Sequence, residues 1–161
     1  EGLISFVQSY RSLTHIAAPV RKAFYLKDLV NDSVTIAQTN WPSASVSYHE
    51  LSEDIILYAD FGQISQVMNN LIKNAVQAGA SEIDITAFID KRERTVINVA
   101  NNGEPISETG KEQIFVPFYT TKGASGTGVG LSLCRQIIRL NGGTINLTSS
   151  TAESTVFTIV L

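Results

Sequence analysis

Between residues 61 and 99 the apolar pattern of this chain changes its period. From 61 to 78, Ile64, Val67, Met68, Leu71 and Ala75 recur at helical spacing, which gathers them on one side of a long α-helix. From 83 to 89, Ile83, Ile85, Ala87 and Ile89 alternate strictly, the signature of a strand with one buried face. Asp90, Lys91, Arg92 and Glu93 read as a turn, and residues 95–99 supply the hairpin partner. A one-sided helix followed at once by a one-sided hairpin needs a sheet with helices on its apolar face, which makes this an α+β chain.

The remaining segments fit that frame. Leu3, Phe6, Val7, Tyr10, Leu13 and Ala17 follow helical spacing up to Pro19, and Leu29, Val30, Val34 and Ala37 do so over 26–39, where Trp41, Pro42 and Ser43 break the pattern. Val46 and Tyr48 suggest a half-buried strand, and 55–59 is an apolar run of strand length. A helix over 131–140 is stopped by Asn141, Gly142 and Gly143, and strands at 144–148 and 155–161 close the chain. The expected architecture is a two-layer α/β sandwich: a mixed, mostly antiparallel sheet with helices packed on one face. There is no internal repeat and no low-complexity tract.

Composition narrows the function. With 161 residues, 43% of them apolar and 17% charged, the chain has the makings of one globular domain. A net charge of -3 without a long basic run argues against nucleic acid as the main partner. The single cysteine, Cys134, excludes an internal disulfide and a cysteine-rich metal site, and suits a reducing compartment. No apolar run approaches the roughly 20 residues that span a bilayer. The start at Glu1 and Gly2 lacks an initiator Met or a signal-peptide pattern, so we expect an excised piece with functional residues upstream.

Three polar or flexible motifs carry candidate chemistry. The run KGASGTGVGL over 122–131 leads glycines into the start of a helix, where exposed N–H groups and the helix dipole attract phosphate. Taken alone it fits a mobile surface loop as well. Val129 and Gly130 stand where a Walker A loop needs Lys and Ser/Thr, and the preceding IFVPFYTTK is no strand of a dinucleotide fold, so both of those motifs are rejected. Asn70 and Asn74 share a helix face with Gln66 and Gln77; this is either a solvated face or a carbonyl ligand for a hard cation such as Mg2+. Asn101, Asn102 and Gly103 form a turn at a strand end, or an acceptor for an adenine amino group with space left by the glycine.

The order of these motifs resembles the ATP-binding catalytic domain of sensor histidine kinases, whose Bergerat-type fold is shared with gyrase, MutL and the large heat-shock chaperone. NLIKNA over 70–75 is similar to the family's asparagine box, NNGEPI over 101–106 to its first glycine box, IFVPFYTTK over 114–122 to its phenylalanine box and lid, and GTGVGL over 126–131 to its second glycine box. The resemblance covers about residues 45–161. It implies ATP and Mg2+ as cofactors, Asn74 as the metal ligand, and Asn70, Asn74 and Lys122 as the catalytic set. For the nucleotide it implies Asn101, Gly103, Ile106, Phe118, Thr121, Lys122, Gly126, Thr127, Gly128, Val129, Gly130, Leu131 and Thr155. The segment FVQSYRSLTHIAAP is similar to the end of the dimerisation helix in the nitrogen-regulator type of kinase. That divides the chain into a linker helix over 1–20 and the ATP-binding domain over 21–161.

By the same resemblance the reaction is transfer of the γ-phosphoryl group of ATP to a histidine on a dimerisation domain absent from this chain, followed by a response-regulator receiver. The full-length protein is expected to be a homodimer, with this part a cytoplasmic domain of a membrane-anchored bacterial sensor. Asn101 and Pro105 depart from the family's usual Asp and Gly, and Gln77 from a basic residue. These departures keep a non-catalytic ATP-binding module as an alternative. A gyrase-type ATPase is disfavoured, because Asn70 stands where such enzymes carry a Glu base and an amide cannot take the proton. His15 and His49 both lack the setting of a phosphoacceptor, so the acceptor is expected upstream of Glu1.

Overall fold

The helix with the strongest sequence pattern organises the structure, a computed structural model that describes residues 2–117, 119 and 130–161. Helix α3 (Phe61–Gln77) begins at Asp60, whose Oδ1 accepts the Gln63 N–H at 3.0 Å, an N-cap that satisfies one of the unpaired donors of the first turn. Ile64, Val67, Met68, Leu71, Ile72 and Ala75 are buried along one side. The helix stops at Ala78, and Gly79 at φ +84° turns the chain into the sheet, a backbone region that glycine enters without a Cβ clash.

The other elements among the described residues are α1 (Gly2–Thr14), β1 (Lys22–Tyr25), α2 (Leu26–Asn40), β2 (Ser45–Glu50), β3 (Ile56–Ala59), β4 (Glu82–Ile89), β5 (Thr95–Asn101), α4 (Glu108–Gln113), α5 (Gly130–Leu140), β6 (Thr144–Ser150) and β7 (Thr155–Val160). Five strands form one sheet in the order β2-β4-β5-β7-β6, with β2 parallel to β4 and the other pairs antiparallel. This is the mixed, mostly antiparallel sheet expected from the sequence. The expected hairpin of β4 and β5 pairs Ile83 with Asn101 and Ile89 with Thr95.

Two elements were not foreseen. β1 pairs antiparallel with β3 in a separate two-stranded ribbon, Lys22 opposite Ala59 and Tyr25 opposite Ile56. Helix α4 occupies part of the stretch read as irregular, capped by Ser107, whose Oγ accepts the Gly110 N–H at 2.9 Å.

The core lies between the helices and one face of the sheet. Ile83, Ile85, Ile97 and Ile159 from the strands meet Leu29 and Val30 of α2, Ile64, Met68 and Ile72 of α3, and Ile137 and Ile138 of α5. Burying each such side chain stabilises the fold by about 1.5–3 kcal/mol. The opposite sheet face is polar: Ser47 donates to Asp84, and the Thr158 hydroxyl donates to Asn98 at 2.6 Å. One-sided burial is what an antiparallel sheet permits.

A polar clasp ties the segment after α1 to the ends of α3 and α5. Val20 N–H donates to Asp60 Oδ2 at 2.9 Å, Asp60 N–H donates to Asn141 Oδ1 at 2.9 Å, and the Asn141 amide donates to Gln63 Oε1 at 2.9 Å. Gln63 Nε2 then donates to the Ala17 carbonyl at 2.8 Å, and Arg21 to the Leu140 carbonyl at 2.6 Å.

The Val20 N–H, with help from the Gln63 and Gly62 N–H groups, holds the Asp60 carboxyl below the ordinary aspartate range despite some burial. A carboxylate with a lowered folded pKa stabilises fully above its unfolded value, about 3.9, and the contribution is lost as the pH falls through the folded value. Asp60→Ala should therefore cost about 1–2 kcal/mol in chemical denaturation at pH 7. That difference from the parent chain should shrink steadily below about pH 4; a gap independent of pH would contradict the capping role.

Candidate functional site

The polar stripe of helix α3 is half-buried in its middle and exposed at its ends: Asn70 and Asn74 are half-buried, and Gln66 and Gln77 are exposed. Asn70 hydrogen-bonds the thiol of Cys134 on α5, and that thiol also lies 3.9 Å from the Val67 carbonyl, its acceptor on α3. Complete burial pushes the Cys134 thiol up to about 12, and the Asn70 bond offsets only part of that. Asn70 thus serves the contact between the two helices, and Asn74 sits one turn further along the same face.

The turn after β5 is built on that helix's last carbonyl. Asn101, 8% exposed, accepts the Gly103 N–H on Oδ1 at 2.9 Å, a short side-chain-to-backbone turn of the kind asparagine favours. Glu104 N–H donates to the carbonyl of Ala78 at 2.8 Å. A Cβ on Gly103 would lie 2.9 Å from that same oxygen, so the position admits glycine alone without displacement of backbone. Asn102 anchors the turn from the other side, its Oδ1 accepting the N–H groups of Ser81 and Glu82 at 2.9 and 3.0 Å.

Strand β7 completes the site. Thr155 is directly opposite Asn101 in the β5–β7 ladder and is 3% exposed. Its hydroxyl lies 2.8 Å from Ser150 Oγ on β6, which accepts the Ile106 N–H at 2.8 Å. Asn101, Gly103, Ile106 and Thr155, widely separated in sequence, are therefore joined by a continuous set of ladder contacts and hydrogen bonds. Ile106 and Leu131 also pack against the core, and Gly130 is the first residue of α5. Phe118, Thr121, Lys122, Gly126, Thr127, Gly128 and Val129 lie outside the described residues.

Residue-by-residue reading missed Ser150, Ala78 and a stack on the far side. Phe115 meets Phe157 edge-to-face at 6.3 Å, and the Arg135 guanidinium lies 5.6 Å from the Phe115 ring centre. Ser150 could have been found: it is the cross-strand partner of Thr155, so a hairpin register would have exposed it.

A depression of about 200 Å3 is lined by Asn101 and Asn102 together with Glu82, Asp84, Ala100, Glu153 and Ser154, and its three carboxylates repel a polyphosphate. No group of three or more His, Cys, Asp or Glu side chains suited to a metal occurs among the described residues. A lone amide oxygen at Asn74 still fits Mg2+, which keeps several waters and takes phosphate oxygens alongside one or two protein ligands.

Residues 59–161 match the family model described as histidine kinase-, DNA gyrase B- and HSP90-like ATPase. The chain belongs to this family. Among relatives of this ATPase family, the sensor histidine kinase ZraS of Escherichia coli (strain K12) is 32% identical over 152 residues, covering 92% of this chain and 32% of that protein. Sporulation kinase D of Bacillus subtilis (strain 168) is 32% identical over 143 residues, covering 84% and 28%. The chain thus spans about a third of the length of the curated relatives it matches. Among solved structures, the nucleotide-free catalytic domain of histidine kinase ThkA superposes with a TM-score of 0.77 at 33% identity, covering 88% of this chain and 94% of that one. The α+β sandwich is accordingly that of a histidine kinase catalytic domain.

Since it is the thiolate that attacks a disulfide reagent, native Cys134 should stay unlabelled by such a reagent at pH 8 and react fully once the chain is unfolded in denaturant. Rapid labelling of the folded protein would contradict the α3–α5 packing.

Proposed function

We propose that this chain is the ATP-binding catalytic domain of a two-component sensor histidine kinase, which transfers the γ-phosphoryl group of ATP to a histidine on a dimerisation domain. The observation that carries the reading is the turn at Asn101–Glu104, fastened to the end of the helix that holds Asn74 and to Thr155 through Ser150 and Ile106. It supports the reading by linking the strand ends that carry Asn101 and Thr155 to the end of the helix that carries Asn74.

In this reading Asn74 would hold Mg2+, which would neutralise charge developing on the phosphates. Asn101 and Thr155 address the base, while Lys122 and the backbone of 126–131 hold the phosphates. Asn70 takes no proton; its amide bonds the Cys134 thiol instead. An imidazole acceptor is itself a nucleophile and needs no base at that position. The protein's part is positioning and electrostatics.

Neither His15 nor His49 serves as acceptor here: His15 follows the end of α1, and His49 lies in strand β2. Helix α1 exposes Leu3, Ile4, Phe6, Val7 and Tyr10, an apolar face that supports assigning residues 1–20 to the end of a dimerisation helix in a homodimer. A response-regulator receiver is the proposed next partner, supported by the 28% identical structure of ThkA in complex with response regulator protein TrrA, TM-score 0.80. No described helix is long and apolar enough to cross a membrane; a cytoplasmic placement beside a membrane anchor is proposed from the sensor-kinase relatives.

Mixed with Mg2+, ATP and a separately supplied dimerisation domain, the chain should place acid-labile phosphate on histidine. Asn74→Ala should slow that transfer by about 100-fold or more, the scale for removing a group that stabilises transition-state charge. Release of free phosphate without a phosphoprotein would replace this reading by an ATPase.

A further inference from the structure

Ser150 is aimed by an irregularity in its strand. Ile145 and Leu147 of β6 pack toward the core, and strict alternation would put Ser149 on that side next and Ser150 on the outer face. The ladder with β7 instead shifts register between Leu147 and Ser149, a bulge that takes up one residue and re-aims those after it. Thr148 and Ser149 are accordingly both exposed, while Ser150 is half-buried and stands opposite Thr155. The Thr148 hydroxyl finds its partner on the outer face, at Thr158. In unbroken register from Leu147 and Phe157, Ser149 would have been the residue opposite Thr155.

The bulge thereby delivers a hydroxyl with two contacts. A backbone N–H can only donate, so Ser150 Oγ accepts the Ile106 N–H at 2.8 Å, and the same oxygen lies 2.8 Å from Thr155 Oγ1. The two hydroxyls carry two protons and their mutual bond uses one, which leaves one to give away. An acceptor beside Thr155 decides which: Ser150 donates to Thr155 and Thr155 donates to the acceptor, a chain whose members strengthen one another. Adenine supplies such an acceptor. Asn101, opposite Thr155 in the ladder, accepts Gly103 N–H on Oδ1 and keeps a second lone pair there for the 6-amino group. That amino group is flanked by the ring nitrogens N1 and N7, both acceptors.

We propose that Ser150 is a positioning residue of the base subsite, which holds the Thr155 hydroxyl toward a ring nitrogen of adenine and anchors the Ile106 backbone to the same point. The proposal rests on the reading of the cleft as an adenine-nucleotide site and concerns only how the base is read; Ser150 acts through Thr155 and Ile106. Ser150→Ala removes the hydroxyl and leaves that of Thr155 free to rotate, whereas Ser150→Thr keeps an oxygen with the same donor and acceptor capacity.

The test is a calorimetric titration, in the presence of Mg2+, of the parent chain, Ser150→Ala and Ser150→Thr with ADP and with its 1-deaza and 7-deaza analogues, each of which replaces one ring nitrogen by C–H. The parent chain should bind ADP about fivefold tighter than one of the two analogues, the scale of one hydrogen bond. In Ser150→Ala that ratio should fall to about one, and in Ser150→Thr it should return. A purely structural Ser150 would weaken all these nucleotides alike and leave the ratio unmoved. If Ser150→Ala melts below the titration temperature, Ser150→Cys, a weak donor and acceptor of similar shape, carries the same expectation. Equal binding of ADP and both analogues by the parent chain, or a ratio unchanged by loss of the hydroxyl, overturns the proposal while leaving the nucleotide site intact. Failure of ADP and both analogues to bind the parent chain overturns the nucleotide reading itself.

Discussion

The carbonyl of Ala78 receives the Glu104 N–H at 2.8 Å, and through that one bond the end of the central strand is fixed to the end of helix α3. Everything assigned to the site depends on it. Upstream of Ala78 by one turn stands Asn74; upstream of Glu104 stand Gly103, pressed against the same oxygen, and Asn101. The distance between the helix that carries Asn74 and the strand that carries Asn101 is thereby set by backbone, which side-chain motion cannot relax. Buried backbone groups must find partners, and here the requirement is met by the very contact that assembles the cleft.

Two further sets of contacts hold the helix itself. At its start, the clasp of Asp60, Gln63 and Asn141 connects α3 to the end of α5 and to the segment after α1. Midway, the Asn70 amide and the Cys134 thiol join α3 to α5 inside the core. Both helices that border the cleft are thus braced at points away from it. The sheet contributes from its other end, where Ser150 passes the order of β6 to Thr155 and to the loop at Ile106.

How much of this was readable in advance depended on the range of the interaction. Helix α3 and the β4–β5 hairpin were legible because their buried residues repeat at fixed local spacing. β1 was not, since in KAFY only Phe24 is half-buried and the strand exists through pairing with β3, some thirty residues on. α4 was missed because ETGKEQ has no apolar stripe and is held by the Ser107 cap. Within the site, Asn74, Asn101 and Thr155 acquired roles through the order of family motifs. The orientation of the Asn101 amide could not be read that way, because it follows from where the Gly103 N–H points, a property of backbone conformation.

The central claim is that a Mg2+-nucleotide occupies the cleft bounded by α3, the Asn101–Ile106 turn and Thr155. Its most direct test is an amide-resolved NMR titration of the 15N-labelled chain with a non-hydrolysable nucleoside triphosphate and Mg2+, following backbone signals and the Asn101 side-chain NH2. The expected result is saturable shifts at residues 70–78, 101–106 and 155, with the Asn101 NH2 among those most displaced. Shifts confined to the outer sheet face around Glu82, Asp84 and Glu153, or none in that cleft at saturating nucleotide, would contradict it.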